Sequence, residues 1–179
     1  MSKSAPLGKT MDIYLLLLRI VHIVAGAYWA GSAFLLTLYI APAVTLAGSA
    51  GDKFMEKLVS GTLHIVAIGV SAGLTVLSGL LLYWRASGGL RSEWMSTGTG
   101  IMFTIGGLAG IIAFFSGAVI GANSRKLAII EDSLHDAPST EQAAEIAGLK
   151  KRLETLGAVS AILLLVALIA MATAQYVFF

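Results

Sequence analysis

Residues 155–179 read TLGAVSAILLLVALIAMATAQYVFF and hold no charged side chain. A helix that crosses the hydrocarbon core of a bilayer needs about 20 mainly apolar residues, and this run exceeds that length. It is apolar on every face, whereas a barrel strand alternates apolar and polar positions. Three further windows precede it: Ile13–Ala47, interrupted by Arg19, then Leu58–Trp84 and Trp94–Ser124. Four transmembrane helices are therefore expected, over about 13–41, 60–84, 98–121 and 155–178, in a single all-α domain spanning 1–179.

The composition agrees. Of 179 residues, 57% are hydrophobic and 12% charged, with a mean hydropathy of +0.86, which excludes a soluble globular chain. A net charge of +2 excludes the broad basic face that tracks nucleic-acid phosphates. The absence of Cys excludes disulfides, iron–sulfur clusters, thiolate zinc and Cys nucleophiles. Lys3, Lys9 and the small residues Ala25-Gly26-Ala27 have the outline of a signal peptide. Arg19 and His22 interrupt the apolar run, however, and it continues far beyond the 7–15 residues of a cleaved signal, so it reads as the first span.

Half of all charged residues fall between Arg125 and Glu154. In that segment Leu127, Ile130 and Leu134, and then Ile146, Leu149, Leu153 and Leu156, recur at helical spacing and form one apolar seam each. Pro138-Ser139-Thr140-Glu141-Gln142 carries a cap hydroxyl, a helix-compatible proline and a first-turn acid. The expected architecture is an integral membrane four-helix bundle whose third and fourth helices continue over about 122–154 into an antiparallel hairpin. Arg125, Lys126, Lys150, Lys151 and Arg152 then form a basic collar beside anionic lipid headgroups, or a surface for a protein partner. Lys53 and Lys57 join these five on one side, against Lys3, Lys9, Arg85 and Arg91 on the other. The positive-inside tendency puts the 48–57 loop and the hairpin in the cytoplasm and both termini outside.

The few ionisable side chains in the spans are functional candidates, because each is costly in hydrocarbon. Arg19 and His22 are three apart on helix one, with Gly26 and Trp29 following on the His22 side. The structural alternative is a snorkelling Arg19 and a His22 satisfied by a neighbouring hydroxyl. His64 opens the second span and shares a weakly polar face with Ile68, Ser71, Thr75 and Ser78. Two membrane imidazoles invite a bis-histidine haem, but counting about 1.5 Å per residue separates His22 and His64 in depth, which favours an interfacial His64. Met102 and Met171 lie nearer the level of His22 and suit a His/Met haem or Cu(I), or simply fill core gaps. The small-residue pairs Gly69/Gly73, Gly106/Gly110 and Gly117/Gly121 suggest close helix packing, room for a flat macrocycle, or subunit association.

The segments Arg19-Ile20-Val21-His22-Ile23-Val24-Ala25 and Trp29-Ala30-Gly31, with Pro42 closing the first span, resemble the opening helix of the bacterial copper-resistance-D-like superfamily. That superfamily includes uncharacterised four-helix membrane proteins and four-helix, haem-associated protoporphyrinogen oxidases. Met171 to Tyr176 is similar to a closing Met-x-x-x-Arg-Tyr pattern of the uncharacterised branch, with Gln175 in place of the Arg. The resemblance implies a bundle in which His22 sits at a haem or metal site. The oxidase branch also uses a lysine in its third span, and none lies between Trp94 and Ser124. Copper-transporting members carry additional His and Met at the membrane entrance, against three His and six Met here.

Three readings stay open. The first is a bacterial inner-membrane protein binding haem b or another porphyrin, with His22 as axial ligand and Arg19 on a propionate, in electron transfer or tetrapyrrole redox chemistry. The second is a copper-handling protein using His22, Met102 and Met171. The third is a cofactor-free accessory subunit of a larger membrane complex. The sequence leaves open whether the chain is an enzyme.

Overall fold

The computed structural model describes residues 12–60, 63–134 and 137–177. Those residues form helices and no strand. Helix α1 spans Ile13–Leu35 and passes through a π-helical stretch, Leu36–Ile40, into α2, Ala41–Ala47. Then follow α3 (Ser49–Ser60), α4 (His64–Ala86), the single turn α5 (Ser92–Met95), α6 (Gly98–Asp132) and α7 (Thr140–Thr173), which ends in a 3₁₀ turn, Ala174–Tyr176. Four helical segments are long and apolar enough to cross a membrane: Ile13–Ala47, His64–Ala86, Gly98–Asp132 and Thr140–Tyr176. Lys3 and Lys9 lie outside the described residues.

Local chemistry sets the boundaries. The Asp12 carboxylate accepts from the Leu15 N–H at 3.2 Å and starts α1. Pro42 has no N–H, and its ring crowds the carbonyl four residues back. The helix widens just before it, with the Ala41 N–H reaching back to the Leu36 carbonyl. Thr97 caps α6 by accepting from the Gly100 N–H at 3.1 Å. The expected cap of α7 is a full capping box: Ser139 Oγ accepts from the Gln142 N–H, and Gln142 Oε1 accepts from the Ser139 N–H.

Helices α6 and α7 contain 35 and 34 residues, about 50 Å each. This exceeds the roughly 30 Å of hydrocarbon that a spanning helix crosses. They run antiparallel in contact: Gly106 packs on Ala167, Ala170 and Met171, Lys126 pairs with Glu145 at 2.7 Å, and Lys150 pairs with Glu131 at 3.2 Å. Leu149 in the seam is buried while Lys151 and Arg152 are exposed. At the opposite end, Thr99 Oγ1 donates to the Ala174 carbonyl at 3.0 Å.

Segment 48–57 is a helix and not the expected loop. Gly48, at φ +57°, ends α2, and a Cβ on Gly51 would collide with the Val44 carbonyl, so glycine there lets α3 fold back onto α2. Asp52 of α3 accepts from Lys150 of α7 at 2.9 Å. This contact puts Lys53 and Lys57 at the same end as residues 125–126 and 150–152. It also revises the basic collar: Lys126 and Lys150 are engaged by acids, whereas Arg125, Lys151 and Arg152 remain exposed.

The side-chain distribution is the reverse of a soluble core. The buried set is mostly alanine, including Ala25, Ala30, Ala72, Ala113, Ala161 and Ala170. Large apolar residues such as Ile23, Val24, Leu77, Phe115 and Ile162 point outward. In lipid, small residues let helices approach while large ones lose nothing by facing the tails. The glycine pairs need correction. Among the described residues Gly106 is the one of them that meets another helix closely, whereas Gly69, Gly73, Gly110 and Gly117 meet none.

Burial acts to lower the Lys150 pKa, but hydrogen bonds and charge from Asp52 and Glu131 outweigh it and leave the pKa raised. A raised lysine pKa contributes stability that is present below the ordinary lysine range and lost as pH rises through the folded value. The pairs are partly exposed, so solvent screening limits their contribution to about 1 kcal/mol. Lys150→Met is expected to speed amide exchange in α3 about fivefold at low ionic strength, with the difference shrinking at molar salt. Equal protection of α3 in both proteins at low salt would show that Lys150 does not hold it.

Candidate functional site

The inner stripe of α1 is Leu15, Leu18, His22, Ala25, Trp29 and Ser32, each buried or half-buried, between exposed Leu17, Val21, Val24 and Tyr28. This is the 3-and-4 periodicity of a helix that buries one face. The stripe meets α4. Gly26 allows the approach, since a Cβ there would stand 3.3 Å from Thr75 Cγ2. Trp29 is 6% exposed and packs with Ala30, Ala72, Ala113 and Leu164. Gly26 and Trp29, both expected near a cofactor, thus serve helix packing here.

His22 is the informative member. Its Nδ1 lies 2.9 Å from the Thr75 carbonyl oxygen and 3.4 Å from Ser78 Oγ. A carbonyl only accepts, so Nδ1 carries the hydrogen and donates. In the neutral ring the lone pair is then on Nε2, which makes no hydrogen bond among the described residues. An imidazole oriented through Nδ1–H, with Nε2 left basic, is the arrangement found behind metal-ligating histidines. Gly79 supports it from below, because a Cβ at that position would stand 2.8 Å from His22 Cε1. Ser78 and Thr75 satisfy their own hydroxyls within α4, donating to the Leu74 and Ser71 carbonyls.

The other candidates lie elsewhere. Arg19 is exposed, one turn nearer the start of α1, with no ion pair or hydrogen bond among the described residues. It starts about 10 Å along α1 from Asp12, within reach of headgroups for a snorkelling guanidinium. His64 takes up the Tyr28 hydroxyl at Nδ1, 3.1 Å away, with the two rings edge to face. From His64 to Thr75 along α4 is about 16 Å, so His22 and His64 are not brought to one metal. Met171 packs its Cγ against the position of a Gly106 Cβ, 3.1 Å away. No contact among the described residues joins His22, Met102 and Met171, and no group of three His, Cys, Asp or Glu with metal-binding spacing occurs there.

The polar face read on α4 is present, but it divides between two partners on α1: Thr75 and Ser78 go to His22, and His64 goes to Tyr28. Tyr28 and Gly79 were missed. Gly79 is one of many glycines, and Tyr28 is six residues from His22, off the inner stripe, so neither carries a distinctive spacing. At the far end of the α4–α6 contact, Tyr83 bonds Thr104 at 2.6 Å and meets Trp94, which stacks on Phe103. Two hollows, of about 390 and 460 Å³, lie away from His22: one between α2 and α3, the other at Trp84, Arg85, Gly88 and Gly89.

Searches against protein-family models, curated proteins and solved structures found no match to this chain.

In protein labelled with ¹⁵N-histidine, the Nδ1–H of His22 is expected to show the signature of a donor to the Thr75 carbonyl. Gly79→Val puts new atoms into the ring's place, at about 1–3 kcal/mol of overpacking, and is expected to erase that signature. An unchanged His22 spectrum in the variant would show that the ring does not rest on α4.

Proposed function

We propose that this chain is a multi-pass protein of a bacterial inner membrane that binds haem b, or a related porphyrin, and takes part in electron transfer or tetrapyrrole redox chemistry. The observation that supports this reading is the His22 imidazole, held by Nδ1–H on the Thr75 carbonyl with Nε2 left as a basic donor. His22 would hold the iron through Nε2, and Arg19, one turn away, would pair with a propionate through its guanidinium fork. The haem supplies a one-electron couple when bound. The chain's own contribution is to fix the tautomer, exclude water through the apolar walls of α1 and α4, and neutralise a carboxylate. The resemblance of 19–25 and 171–176 to the copper-resistance-D-like superfamily points the same way. In this reading the four spans form a bundle, both termini lie outside, and the ends of α6 and α7 form a cytoplasmic hairpin. Arg125, Lys151 and Arg152 then meet anionic headgroups.

A second reading, a cofactor-free accessory subunit, is favoured by Gly69, Gly73, Gly110 and Gly117, which meet nothing among the described residues and suit the close approach of another membrane helix. Copper handling has less support, since it relies on Met171, which packs on α6.

An absorption spectrum of the detergent-purified protein, oxidised and then dithionite-reduced, separates these readings. The haem reading expects a Soret band with reduced α and β bands, lost in His22→Ala. Arg19→Ala is expected to weaken haem retention about fivefold, as an exposed ion pair worth about 1 kcal/mol. A sample that stays colourless after haem supplementation would overturn it. Copper bound without porphyrin, and lowered in Met102→Ala and Met171→Ala, would favour the copper reading.

A further inference from the structure

The fold-back of α3 on α2 creates a feature that the His22 site does not use. Its hollow of about 390 Å³ is lined by Tyr39, Ile40, Ala43, Val44, Ala50 and Phe54, with other small residues of the turn. It begins in the last turns of the first apolar segment, Ile13–Ala47, and ends on α3. Tyr39 to Ala47 covers about 12 Å of helix, and this stretch closes the first apolar segment. Tyr39 and Phe54, 68% and 53% exposed, flank it.

The sides of α3 have different chemistry. Ala50, Phe54 and Leu58 follow one another at four-residue spacing and form its apolar face. Lys53 and Lys57, also four apart, border that face on one edge, while Asp52 and Glu56 occupy another. Asp52 is committed to Lys150 of α7. Lys53 has no acidic partner among the described residues. Among the described residues Lys57 pairs with its neighbour Glu56 at 3.0 Å, with the side chains 77% and 50% exposed, a contact that water screens. An amphipathic helix with lysines bordering its apolar face is the pattern of a segment lying in the headgroup plane.

We propose that the α2–α3 elbow binds one anionic phospholipid, with an acyl chain in the hollow and the phosphate held by Lys53 and Lys57. The charge complementarity is local: the lysines stand beside the apolar lining, Lys150 takes up Asp52, and Glu56 meets the pair through its exposed bond to Lys57. The site uses other residues than the collar at Arg125, Lys151 and Arg152, and it does not depend on whether His22 carries haem.

The test is native mass spectrometry of the full chain in detergent, titrated with phosphatidylglycerol or phosphatidylcholine. Wild-type protein is expected to retain one phosphatidylglycerol in preference to phosphatidylcholine. A lysine near a headgroup is worth about a factor of five, so Lys53→Gln with Lys57→Gln is expected to weaken that binding about twenty-five-fold and leave the weaker phosphatidylcholine binding unchanged. Ala43→Phe, which fills the hollow, is expected to lower retention of both lipids, and Lys151→Gln with Arg152→Gln to leave the tight site intact. Equal retention of the two lipids, or wild-type binding by the double lysine variant, would overturn the proposal. So would a lipid-independent dimer that Ala43→Phe dissociates, because a second copy would then occupy the hollow. If Ala43→Phe does not fold, the lysine variants, which leave the interior untouched, decide alone.

Discussion

A peptide group in hydrocarbon has no water to bond, so each N–H and C=O must find its partner within the chain. The long α1, α4, α6 and α7 segments meet that demand internally, and their mutual packing follows from it. Since burying apolar surface against another helix gains little when lipid is the alternative, close backbone approach carries the association. The buried positions are accordingly mostly alanines, with glycine at several close contacts between helices: Gly26 against Thr75, Gly79 against His22, Gly106 against α7, and Gly157 against Thr37.

The same close approach gives His22 its chemical character. A helical carbonyl has a second lone pair beyond the one used in the helix. It is reachable from a neighbouring helix only where nothing bulky intervenes. Gly26 and Gly79 clear that space between α1 and α4, and the imidazole uses it to reach the Thr75 carbonyl. Packing and the basicity of Nε2 are thus one arrangement, and a side chain introduced at either glycine would disturb both. Outside the spans, where water screens charge, ion pairs take over: Lys150 links α3, α6 and α7 through Asp52 and Glu131.

Much of this was legible as pattern. Charge-free length announced four helices long and apolar enough to span a membrane, and Ser139 with Gln142 announced the start of α7. Other readings required the partner helix. The 48–57 segment looked like a loop because its charges dominate its composition, yet its apolar residues recur at four-residue spacing and Gly51 permits the fold-back. Evenly spaced glycines looked like packing surfaces, but spacing says only that a face is small, not that another helix covers it. Lys126 and Lys150 looked like lipid contacts because their acids, Glu145, Glu131 and Asp52, lie far away along the chain.

The sequence by itself determined that the chain is helical, how many apolar segments it has, and which few polar side chains those segments carry. These are properties of composition and period, and a single helix expresses them alone. Only the tertiary structure decided that His22 meets Thr75 while His64 meets Tyr28, that Gly79 supports a ring whereas Gly73 supports nothing, and that α3 closes over a hollow. Each is a contact between residues distant in the chain, set by the rotation and depth at which two helices meet. Most faces of these helices are equally apolar, so hydrophobic pattern alone carries almost no information about which face turns inward.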